Sequence, residues 1–96
     1  MELYRDKRTG KKLYPVCSWN ANQHKLYYFL TKFENNWYDC MYEDDADGMD
    51  KWDKKKEEMY HLLTEFNSHV HGGITYATYE DGQKIKEACV MYDIHH

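Results

Sequence analysis

One proline, five glycines and fifteen Leu, Ile, Val and Phe side chains are all that 96 residues hold of the usual turn formers and core builders. The glycines are scattered or paired at turns, so there is no glycine-rich loop to cradle a phosphate. So few aliphatic side chains would signal disorder if the net charge were also high, but it is only −4. No apolar run exceeds the five residues from Leu26 to Leu30, far below the roughly 18–20 that span a bilayer, so no membrane contact is expected. The charged, Tyr-containing start does not read as a signal peptide. Cys17, Cys40 and Cys89 stand at wide, unpatterned spacing and cannot all pair within one chain. These absences suit reduced thiols and a cytoplasmic protein.

What the chain does have is aromatic. Ten Tyr, three Trp and five Met supply the apolar area that the aliphatics do not, and they suit core boundaries and interfaces, where one edge of a ring is dry and the other wet. The length fits one domain spanning 1–96. Charge is segregated: Arg5, Lys7, Arg8, Lys11 and Lys12 crowd the start, and Glu43, Asp44, Asp45, Asp47 and Asp50 crowd the middle.

Leu3-Tyr4-Arg5 and Leu13-Tyr14-Pro15-Val16 read as two strands joined by an Asp6-to-Gly10 turn. Pro15 cannot donate to a ladder and places the second strand at a sheet edge on that side, with the first strand central. Asn20 and Gln23 resemble a capping box ahead of Leu26, Phe29, Leu30, Phe33 and Trp37, an amphipathic helix that ends at Asn35-Asn36 or runs to Met41. The acidic segment Glu43 to Gly48 reads as a loop, and Asp50 as the cap of a second helix bearing Trp52, Met59, Leu62, Leu63, Phe66 and Val70, with Lys54 to Glu58 as its solvated side. Gly72-Gly73 ends that helix. Ile74 to Tyr79 is a strand, and Asp81 caps a last helix with Ile85, Ala88, Cys89 and Tyr92 on one face. The expected class is α+β in the order ββααβα, a three-stranded sheet with helices on one face.

The acidic segment places Glu43, Asp45, Asp47 and Gly48 at positions one, three, five and six of an EF-hand-like loop, but Asp50 and Lys54 then stand where an apolar residue and a bidentate Glu are required. His69 and His71 share a side only if extended, and spacing anchors no third ligand, so no metal or cofactor is expected. None of the cysteines sits in a catalytic signature, and Ser18 and Ser68 lack a nucleophile elbow. The chain reads as a non-enzyme, with a Cys–His hydrolase the least supported alternative.

Tyr4-Arg5-Asp6, Leu13 to Trp19, Asn22 to Tyr27 and Tyr76 to Gln83 resemble stretches of small proteins from phages and mobile elements of gut Firmicutes, a group with no established activity. In size, acidity and aromatic content the chain is also similar to phage-encoded inhibitors such as anti-CRISPR proteins. That resemblance implies a setting in which Glu43, Asp44, Asp45, Asp47 and Asp50 present carboxylates to the basic surface of a host protein. The alternative is a protein that sequesters a nucleotide or nucleic-acid fragment, with Arg5, Lys7, Arg8 and Lys11 on phosphate and Tyr4 or Tyr14 stacking. The acidic total argues against general nucleic-acid binding. The thin core and an available edge strand point to a homodimer.

Overall fold

The computed structural model describes residues 4–96; residues 1–3, and with them the Leu3 part of the expected first strand, lie outside the described residues. Asp6 builds the first turn. Its backbone N–H donates to Lys11 O at 2.9 Å, its carbonyl accepts from Gly10 N at 2.8 Å, and its Oδ1 accepts from Arg8 N at 2.8 Å. Gly10 takes the left-handed φ of 70° that closes the turn. The turn joins β1 (Tyr4–Arg5) to β2 (Lys12–Ser18). Then follow α1 (Trp19–Tyr42), α2 (Ala46–Ser68), β3 (Val70–His71), β4 (Ile74–Ala77) and α3 (Tyr79–His95).

The class is α+β, with a four-stranded antiparallel sheet in the order β1-β2-β4-β3 among the described residues. The sheet departs from expectation in one strand. Val70 and His71 are not the end of a helix but β3, and Gly72-Gly73 is a two-residue hairpin turn with φ of 61° and 80°, the left-handed pair of a type I′ turn. The first strand is therefore an edge, not the centre. Pro15 sits in β2 beyond the two residues that β1 covers, so its missing donor breaks no pairing there, and the ladder to β4 shifts register directly after it.

The helix starts also move. α1 begins at Trp19 after Ser18, whose side chain makes no cap, so the Asn20–Gln23 box does not form. Trp19 is held instead by its N–H to Gly73 O (2.9 Å) and its indole Nε1 to Asn67 Oδ1 (2.8 Å). α2 starts five residues earlier than expected because Asp45, not Asp50, accepts from Gly48 N at 3.0 Å. For α3 the cap is Thr78, not Asp81, whose own N–H it receives. The strand before it stops at Ala77, and Tyr79 opens the helix.

The largest fully buried side chains are Leu13, Leu26, Phe66, Thr75 and Ile85, one from each of β2, α1, α2, β4 and α3. Around Phe66 lie Leu26, Leu30, Met59, Leu62, Leu63, Ala77, Ile85 and Cys89. Thr75 keeps its buried hydroxyl satisfied by donating to Phe66 O at 3.1 Å. Phe66→Ala should cost about 3–5 kcal/mol in a urea titration, whereas Tyr42→Ala, at an exposed position, should stay within about 0.5 kcal/mol. Equal costs would contradict this placement of the core.

Candidate functional site

Among the described residues, none from 31 to 58 is fully buried. The joined halves of α1 and α2 therefore form an arm beyond the core, in a molecule 49 × 31 × 16 Å in extent. Rings and cations hold it together. Phe33 and Trp52 lie with centroids 5.6 Å apart, Lys55 Nζ sits 5.8 and 5.6 Å from them, and Lys56 Nζ lies 4.7 Å over Trp37. Each such contact contributes about 0.5–1 kcal/mol at a partly exposed site. Two of the lysines expected on the solvated side thus cover aromatic faces with their stems and heads. At the near end of the arm, Tyr60 donates its hydroxyl to Glu34 Oε1 at 2.8 Å.

The arm ends in the acidic residues. Only Glu43 to Asp45 lie outside helices, so Asp47 and Asp50 project from the first turns of α2 rather than from a loop. Asp44 takes a φ of 55°, which Asp tolerates better than most residues. Asp45 caps α2, and Asp47 in its first turn favours the positive end of the helix dipole. Glu43, Asp44, Asp45, Asp47 and Asp50 are all exposed. The structure adds three residues to this set: Asp39, and Tyr38 and Tyr42, whose rings are 51% and 80% exposed. From Phe33 to Asp50 the chain holds seven carboxylates and no Lys or Arg. That interval is legible in the sequence, but only the fold shows that it is one end of a two-helix arm.

The basic hairpin is organised differently. Arg8 is turned onto two buried acids: its Nη2 donates to Glu65 Oε1 at 3.1 Å, and its Nε lies 3.8 Å from Asp6 Oδ1. Asp6 and Glu65 are each 5% exposed. The Arg8 backbone N–H holds the Asp6 carboxyl below the usual carboxylate range, with burial opposing and the guanidinium assisting. Arg5 donates to Gly10 O at 2.8 Å, and Tyr4 stacks on His71 with centroids 3.9 Å apart. Lys7 and Lys11 are exposed, while Tyr14 lines a separate cleft with Pro15, Tyr79 and Lys86.

The three cysteines are unbridged, and two of them meet. A hydrogen bond from the Cys89 thiol lowers the Cys17 pKa, burial opposes it, and Lys25 and Lys86 add to the lowering; Cys89, as the donor and by burial, is pushed up. Burial first, then Asp45 and Glu43, raise Cys40. Iodoacetamide at near-neutral pH should therefore label Cys17 first, with a rate midpoint below that of an ordinary thiol. Peptide mapping that finds Cys40 or Cys89 labelled first would contradict this order.

Comparisons with protein-family models, with curated proteins and with solved structures find no match.

Proposed function

We propose that this is a non-enzymatic binding protein whose acidic arm end docks into a basic groove of a protein partner. The observation that carries the reading is the coincidence, at one projecting end, of the six carboxylates of Asp39, Glu43, Asp44, Asp45, Asp47 and Asp50 without an intervening base and two exposed tyrosines. Exposed ion pairs contribute little each, about 0–1 kcal/mol. Their summed field, however, steers encounter and sets register, while Tyr38 and Tyr42 offer rigid, amphipathic anchors once docked. A groove that attracts so many carboxylates has the chemistry of one that holds nucleic-acid phosphates. An inhibitor of a host nucleic-acid-handling protein, such as a CRISPR effector, is the role that this chemistry and the resemblance to mobile-element proteins support.

The alternative site on the hairpin has less behind it. Arg8 already serves Asp6 and Glu65, and one face of Tyr4 is covered by His71. Arg8 would have to leave these contacts to hold a phosphate, and Tyr4 has at most one face for a base.

The test leaves Asp45 in place, because it caps α2. Partners captured from a Firmicutes lysate by the unchanged protein should be displaced by heparin, which competes for basic grooves. The triple variant Glu43→Lys, Asp47→Lys, Asp50→Lys should weaken the captured complex on the order of tenfold or more, and the loss should be steepest at low salt. Circular dichroism confirms that the variant is folded. Undiminished capture by the folded variant would remove the arm end from the binding surface.

A further inference from the structure

We propose that Asp6, Glu65 and His69 form a binding site for one divalent first-row transition cation, with Zn2+ as its representative. Glu65 lies in the last turn of α2 and His69 is the residue that follows its end, and the chain there brings the His69 ring against Glu65 and the Asp6 turn. The oxygens divide between two cations' worth of work. Arg8 takes Oε1 of Glu65 and Oδ1 of Asp6. The remaining oxygens, Oε2 of Glu65 and Oδ2 of Asp6, face His69 Nε2 at 3.6 and 4.0 Å.

Those two separations are too long for hydrogen bonds, and Nε2 is a buried atom with no hydrogen-bond partner among the described residues. They suit a bridging ion better. One ligand atom from each of the three residues lies within 4.8 Å of the other two. A point equidistant from all three is then about 2.8 Å from each at most, and Zn–O and Zn–N bonds of about 2.0–2.2 Å need an inward movement of well under an ångström. Arg8, which already holds the other oxygen of each carboxylate, becomes the outer partner that orients both of them.

One imidazole and two carboxylates make a mixed nitrogen and oxygen set, which suits Zn2+ and its neighbours better than the all-oxygen preference of Ca2+ or Mg2+. Asp6 and Glu65 also border a cavity of about 360 Å³ shared with His61 and Asp81, which bond to each other at 3.0 Å. That cavity is the entry path, and it leaves room for water as a further ligand.

The experiment uses the full chain with Zn2+ and Co2+. Zn2+ titration should show one saturable site whose affinity rises with pH, because the ligands must be deprotonated. Co2+ should broaden or shift amide signals around Arg8, Glu65 and His69 in the unchanged protein. His69→Gln should weaken Zn2+ on the order of 100-fold, given that even outer partners of a metal are worth about 10–100-fold. Replacing His95 and His96 together by Ala should leave that affinity in place. If His69→Gln fails to fold, the Co2+ map on the unchanged protein decides alone. Co2+ effects centred on the C-terminal histidines, unchanged affinity in a folded His69→Gln variant, or no saturable Zn2+ uptake would each overturn the proposal.

Discussion

Phe66 joins the two halves of this molecule. Its ring is fully buried among side chains from α1, α2, β4 and α3, and its carbonyl, at a helix end where intrahelical partners run out, accepts the Thr75 hydroxyl of β4. One residue thus closes the core and ties helix to sheet. Two residues later α2 ends, and the His69 carbonyl receives the Tyr76 N–H as the β3–β4 hairpin folds back. The Gly73 carbonyl of that hairpin receives the first N–H of α1. The hairpin turn thereby sets where α1 leaves the sheet, and α1 in turn sets the direction of the arm.

Because the aliphatic side chains are so few, this core ends at Leu30 and Met59 while both helices continue. Past that point the packing is of another kind, with half-buried rings covered by lysine stems and charges. Such contacts hold two helices together without burying enough apolar surface to lock them. At their end lie the carboxylates, which oppose one another and gain from any surface of opposite sign. A rigid base and a more loosely held, strongly negative arm follow from the same composition.

Much of this was legible from residues alone. The 3.6-residue spacing of Leu26, Phe29, Leu30 and Phe33, and of Met59, Leu62, Leu63 and Phe66, marks both long helices, and Asp6 to Gly10 marks the first turn. Gly72-Gly73 is ambiguous in sequence because a glycine pair after a helix can either stop it or turn a hairpin, and Val70 continues the apolar face of the helix before it. Local capping rules offered several candidates at each helix start, and tertiary contacts chose among them, as when Trp19 found Gly73 and Asn67. The acidic cluster was visible as a charge run, whereas its place at the end of an arm depends on how α1 and α2 pair. The meeting of Asp6 with Glu65 and His69 joins positions some 60 residues apart, which no local spacing encodes.

A rigid base carrying a less stable arm is what native-state amide hydrogen exchange tests most directly. Amides near Phe66, Leu62 and Leu26 should exchange only through global unfolding, while those from about 35 to 55 should exchange through smaller openings that leave the base closed. Uniform protection along α1 and α2, lost together in a single cooperative step, would contradict it.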